Sequence, residues 1–168
     1  LAEVITQYEK LVVLCHDRKE VARLLSRCDA SRLQLVETNY NDTWARDFGP
    51  LSVVVNQQLV LTDYKFNGWG GKFEAAADNG VTKTLFDQRV FADSVGYRSR
   101  LDFILEGGSI ESNGQGLLLT TSRCLLAQTR NSQFSRQEIE QRLKADFFLD
   151  KVLWLENGQL QGDDTDGH

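Results

Sequence analysis

Methionine is missing altogether from this sequence, even at residue 1, which is a leucine leading straight into a helix-like run. At the other end the chain stops on Gly162-Asp163-Asp164-Thr165-Asp166-Gly167-His168, a clustering of acids, glycine and histidine typical of a reaction loop. Together these imply an interior piece of a larger protein, with residues 1–168 a partial catalytic domain and further residues needed to complete the chemistry. Cysteine is scarce: Cys15, Cys28 and Cys124 are odd in number and lack metal-type spacing, which excludes a disulfide framework and a zinc site. The same pattern favours a reducing, cytoplasmic compartment. No apolar run approaches the roughly 18–20 residues that span a bilayer, so no membrane helix is expected. There is no excess of positive charge either. The net charge is -5 and the pI about 5.1, which argues against a nucleic-acid footprint and favours neutral or cationic small partners. The one basic concentration, Arg123–Arg136, is diluted by polar residues.

What is present reads as alternating strands and helices. Lys10–Cys15 is a short β-branched run, a buried strand with Cys15 in the core. Asp17 is placed to cap a helix over Arg18–Arg27, with Val21, Leu24 and Leu25 on its packed face. Arg32–Glu37 alternates as a strand and is followed by a polar, aromatic loop, Asn39–Pro50. Leu51–Val55 and Leu59–Tyr64 flank Asn56-Gln57-Gln58 as a hairpin, and a glycine-rich loop, Phe66–Lys72, comes next. Thr82–Val95 is expected to be helical and Arg100–Leu105 a strand. Ser109–Ser112 and Gly116–Thr121 make a second hairpin around Asn113-Gly114. Ser135-Arg136-Gln137-Glu138 has the form of a capping box opening a helix to about Phe147, and Lys151–Glu156 is a final strand.

A repeat runs through this order: hairpin, helix, strand, then a loop carrying an acid beside glycine. Arg46-Asp47-Phe48-Gly49 precedes the first hairpin, Glu106-Gly107-Gly108 the second, and Asp163–His168 follows the next strand at a similar interval. Repeats of this kind suggest a radial or solenoidal array. In a radial array equivalent loops point at a common axis, which would gather Asp47, Glu106 and His168 into one pocket.

Each of these residues has a plain and a chemical reading. Asp47 is either a loop carboxylate paired with Arg46 or a cation binder, since a carboxylate matches the guanidinium fork, with Trp44 adding a planar face. Glu106 is either a strand-end carboxylate facing water or a proton carrier tuned by partial burial, with Gly107 and Gly108 allowing close approach of a ligand. His168 can exchange a proton near neutral pH, whereas His16, between a strand and a helix cap, reads as a surface residue. Asp163, Asp164 and Asp166 also admit an oxygen-ligand calcium loop or a metal-dependent hydrolase, although the EF-hand spacing is not met. Phe66–Lys72 is either a tight turn around a packed Trp69 or a pocket wall.

NDTWARDFGP (Asn41–Pro50), FNGWGGK (Phe66–Lys72), LEGGSIESNG (Leu105–Gly114) and GDDTDGH (Gly162–His168), in that order, resemble the agmatine deiminase family, which includes the Porphyromonas-type peptidylarginine deiminases. The resemblance covers most of the chain after Asn41. It implies an α/β fold, the pentein-type α/β propeller of five ββαβ units, of which about half would lie in this chain. It implies a hydrolase of carbon–nitrogen bonds in linear amidines, using no cofactor and no metal. Such an enzyme converts agmatine to N-carbamoylputrescine and ammonia, on the way to putrescine and the polyamines, through a cysteine thiouronium intermediate. Carried over by motif, Asp47 would bind the guanidinium, Trp44 would line the pocket beside the substrate stem, and Glu106 and His168 would be catalytic, with Glu106 also holding the guanidinium. The nucleophilic cysteine falls beyond His168 in the family pattern, so none of Cys15, Cys28 and Cys124 is nominated and the piece alone would be inactive. The implied partner is a small cationic guanidine (agmatine), with homo-oligomerisation left open and no nucleic-acid or membrane partner. Deimination of free or peptidyl arginine, and a non-catalytic binding propeller, remain alternatives.

Overall fold

The computed structural model describes residues 1–157, 161–163 and 165–168. After a short helix, α1 (Ala2–Ile5), come strand β1 (Leu11–Cys15), helix α2 (Arg18–Leu24) and strand β2 (Leu33–Glu37). The two strands pair in parallel, joined through α2. Asp17 caps α2 as expected, its carboxylate accepting from the Lys19 and Glu20 amides at 2.7 and 3.0 Å. The helix is shorter than its pattern suggested, and Leu24, expected to pack, is exposed. Cys15 is buried, and His16 is exposed and stacks on Tyr40.

Two complete ββαβ units follow. The first holds a helical turn, α3 (Ala45–Phe48), β3 (Leu51–Val55), β4 (Gln58–Lys65), a second turn α4 (Gly68–Gly71), α5 (Val81–Asp87) and β5 (Gly96–Ile104). β3 and β4 are antiparallel, and β5 lies parallel to β4. Their hairpin turns on Asn56 and Gln57 alone, both at positive φ (49 and 65°), the backbone of a two-residue turn whose twist matches the strands. The helix expected to reach Val95 ends at Asp87 because Arg89 turns left-handed (φ 52°) and the Val90 amide closes back on the Leu85 carbonyl at 3.1 Å. No glycine marks that stop, which is why the pattern ran on.

The second unit holds β6 (Ile110–Ser112), β7 (Leu117–Thr121), the turn α6 (Ser122–Leu125), α7 (Arg136–Phe147) and β8 (Lys151–Leu155). Again the hairpin is antiparallel and the last strand is parallel to β7. The Ser135–Glu138 capping box is formed in both directions, a device worth roughly 0.5–2 kcal/mol. The Asn113-Gly114 connection is wider than a two-residue turn: the Asn113 side chain accepts from the Gln115 and Leu117 amides.

The repeat inferred from the acids and glycines is therefore the repeat of the fold. Phe103, Leu118, Ile139, Leu143 and Val152 join β5, β7, α7 and β8 in one core, so the two units share a buried face. Val36, Phe48, Phe66, Trp69 and Val81 form a second core that links β2 to the first complete unit. Full burial of each large apolar side chain contributes about 1.5–3 kcal/mol. Among the described residues no helix is long and apolar enough to cross a membrane.

Candidate active site

Asp47 lies in α3, at the head of the first complete unit, and is 8% exposed. It is not paired with Arg46, which reaches outward to Glu111 at 3.9 Å and to the Ile110 carbonyl. Instead the Trp69 indole N–H donates to Asp47 Oδ2 at 2.9 Å and the Gly108 amide donates to Oδ1 at 2.9 Å. One lone pair on each oxygen stays available. Trp69 can reach because Trp69 and Gly70 both take left-handed backbone (φ 54 and 86°), which folds the FNGWGGK loop over the carboxylate. That loop is thus both a tight turn and a wall. The loop before α3 is anchored from below: the buried Asp78 carboxylate accepts from the Asn41 and Asp42 amides at 2.7 and 3.2 Å.

Glu106 follows β5 and is 1% exposed, so it does not face water. Its carboxylate is ringed by donors. Arg130 Nε and Nη2 each lie 3.1 Å from it, His168 Nε2 2.8 Å, and the Cys124 thiol 3.3 Å. Burial opposes its ionisation, but the bonds from His168 and Arg130 outweigh it and hold the carboxyl below the usual glutamate range. Burial, then the Glu106 charge, push the Cys124 thiol far up, so it is a neutral donor and no nucleophile. Burial also raises Cys15. The donor atoms of Glu106, Cys124 and His168 fall within 4.8 Å of one another, a span a metal ion could bridge. The Arg130 guanidinium already neutralises that carboxylate, so the cluster is an ion-pair network.

The loop that ends in His168 is held by its own side chains. Asp163 accepts from the Thr165 amide and hydroxyl and the Gly167 amide. Asp166 takes Lys72 Nζ at 2.8 Å and Arg130 Nη1 at 2.7 Å. Both described aspartates thus spend their oxygens on protein donors, which removes support from the calcium-loop reading. Asp164 lies outside the described residues.

A cavity of about 570 Å³ opens over this arrangement, and Trp44, Asp47, Trp69, Phe73, Gly108 and His168 are among the residues lining it. Asp47 and His168 crowd the same face of Gly108: a methyl there would sit 2.3 Å from Asp47 Oδ1 and 3.1 Å from His168 Nδ1. The glycine expected to admit a ligand is required by the protein's own side chains. Trp44, 65% exposed, stands on the wall. Glu106 is not on the lining; it lies behind His168.

All of residues 1–168 match the family model for Porphyromonas-type peptidyl-arginine deiminase. The chain belongs to that family. The agmatine deiminase of Ectopseudomonas mendocina is 37% identical over 175 residues, spanning 100% of this chain and 46% of that protein. A solved Porphyromonas gingivalis structure superposes with a TM-score of 0.93 at 42% identity, covering 99% of this chain and 49% of the other. A cysteine-to-serine variant of C. jejuni agmatine deiminase, solved with substrate bound, superposes with a TM-score of 0.89 at 38% identity and covers 99% and 48%. These neighbours carry the pentein α/β propeller, and the chain has that fold. It spans about half the length of the curated relatives it matches.

The fold brings Asp47, Glu106 and His168 together, with Trp44 at the cavity wall. Two contributors escaped the sequence reading: Asp78, which anchors the Asp47 loop, and Arg130, which clamps Glu106. Trp69 was placed in the Phe66–Lys72 loop, but its bond to Asp47 was not foreseen. Arg130 was hidden within the diluted basic stretch. The one local hint was that a glutamate at the end of the apolar run LDFIL demands a buried cation.

Proposed function

We propose that the protein carrying this chain hydrolyses the guanidinium of agmatine to N-carbamoylputrescine and ammonia. The observation that supports it most is the pairing, in one cavity, of a carboxylate with free lone pairs (Asp47) and an imidazole backed by an ionised carboxylate (His168 on Glu106). Asp47 would orient the planar guanidinium through two N–H bonds, with the substrate stem against Trp44. A cysteine thiolate attacks the guanidinium carbon. His168 gives a proton to the departing nitrogen as the C–N bond breaks, and ammonia leaves. His168 then takes a proton from water, which adds to the same carbon and expels the thiolate. Glu106, buried behind the ring, would keep the imidazole oriented and stabilise its protonated form.

In this proposal residues 1–168 form part of the catalytic domain, with the remaining units and the nucleophile elsewhere in the protein. The high, buried thiols of Cys15 and Cys124 support that placement. The cavity's ionisable lining, Asp42, Asp47 and Asp163 against Arg46 and His168, favours a dication such as agmatine over a zwitterion. Three unpaired thiols are consistent with a cytoplasmic enzyme.

The test is ammonia release by the full-length protein from agmatine, free arginine and a blocked arginine peptide, with and without a thiol alkylator. Alkylator-sensitive turnover of agmatine is expected. Turnover of arginine or the peptide in its place would replace the substrate, and no release from any of the three would overturn the enzymatic reading.

A further inference from the structure

We infer that Arg130 is a positioning residue: its buried guanidinium holds Glu106 in place behind His168 and ties both to the loop that carries His168. The inference rests on the roles proposed for Glu106 and His168.

Four contacts define the clamp. Arg130 Nε and Nη2 grip the Glu106 carboxylate at 3.1 Å each, Nη1 reaches Asp166 at 2.7 Å, and Nη2 also donates to the Thr165 carbonyl at 3.1 Å. The side chain is 1% exposed and is not on the cavity lining, so it has no face for a substrate. The neighbouring Asn131 fastens the same place through the backbone, accepting from the Ile104 amide at 2.9 Å and donating to its carbonyl at 2.7 Å. The Arg130-Asn131 pair therefore fixes both the end of β5 and the carboxylate it presents. A planar fork with five donors can bridge two carboxylates and a carbonyl at once; an ammonium with three donors on a flexible stem cannot hold the same geometry.

The charge matters as much as the shape. A carboxylate buried without a cation protonates. A protonated Glu106 would lose the acceptor that holds the imidazole N–H. The charged and titratable groups facing Glu106 are Arg130 and Cys124 from the segment around α6, and His168 from the last loop. Asp166 stands one contact further out through Arg130, Lys72 beyond it through Asp166, and Asp47 lies beside Gly108. Of these, only Arg130 holds Glu106 with a charge that is permanent at any working pH.

The experiment uses the full-length protein and the variants Arg130→Gln and Arg130→Lys. Carboxyl ¹³C NMR follows the titration of Glu106 without substrate, and kcat and kcat/KM for agmatine are measured across pH. The Glu106 carboxyl should titrate at higher pH in Arg130→Gln than in the wild type, and less so in Arg130→Lys. The acidic limb of kcat/KM should move the same way. Since positioned acid–base groups supply on the order of 10²–10⁴-fold, kcat should fall at least about tenfold with KM little changed. An unmoved Glu106 titration, or a loss confined to KM, would overturn the inference. If Arg130→Gln does not fold, Arg130→Lys decides alone: a Glu106 titration and kcat like the wild type's refute the clamp. An inactive wild type would count against the proposed function, while the NMR titration would still decide the role of Arg130.

Discussion

Glu106 and Asp146 are both buried carboxylates gripped by arginine, yet their surroundings differ in kind. Asp146, in α7, receives Arg100 Nε at 2.9 Å and the Tyr64 hydroxyl at 3.0 Å, with Arg98 Nη1 at 3.8 Å. This network joins β4 and β5 of one unit to α7 of the next. Burial and then the charge of Asp146 push the Tyr64 phenol far above its usual range, so it remains a neutral donor. Every partner of Asp146 keeps its protonation state near neutral pH. Glu106 has one permanent cation as well, but its other partners are an imidazole and a thiol, and the imidazole lines a cavity. A carboxylate ringed by groups that do not titrate is a joint. One that faces a histidine beside an open space can take part in moving a proton.

The sharpest way to break this contrast is to neutralise each carboxylate in the full-length protein. Glu106→Gln should lower kcat/KM for agmatine on the order of 10²-fold or more while the fold persists. Asp146→Ala should leave kcat/KM per folded molecule nearly unchanged and cost about 3 kcal/mol in denaturant unfolding, because two arginines lose their anion. Equal activity losses in the two variants would erase the distinction.

A smaller effect is expected at the close approach of Asp47 and His168. Gly108→Ala places a methyl 2.3 Å from Asp47 Oδ1, so the overpacking should cost about 1–3 kcal/mol and activity should fall with it. Gly80→Ala, which meets nothing within 4 Å, is the control and should be neutral or stabilise by up to about 1 kcal/mol. Thermal unfolding and turnover of both variants check the pair.

The subtlest test is acid. The Glu106 carboxyl, ordinarily near 4.5, and that of Asp166, ordinarily near 3.8, are both held lower in the folded protein. Their stabilisation is therefore complete above those ordinary values and is lost as pH falls through the depressed ones. Unfolding free energy measured from neutral to strongly acidic pH should decline through that window in the wild type. The decline should be shallower in Glu106→Gln; parallel curves would mean that Glu106 contributes nothing to it.

Much of this was legible in the residues themselves. The ββαβ repeat followed from two hairpins and the acid–glycine step after each strand; Asp47 and His168 do share one cavity, while Glu106 lies behind the imidazole and off the lining. The Asp17 cap and the Ser135–Glu138 box were readable because each is closed within a few residues. The overextended helix beyond Asp87 shows the limit of periodicity, since the stop there is a left-handed arginine that no composition announces.

Local chemistry alone determined the helix caps and the hairpin turns, because those hydrogen bonds are satisfied between near neighbours. The environment of each ionisable group was decided only by the tertiary structure. Arg130 meets Glu106 across 24 positions and Asp166 across 36, and His168 meets Glu106 across 62. Whether a carboxylate is a joint or part of a reacting pair depends on which distant side chains share its burial. Burial is a property of the packed units and of no single segment.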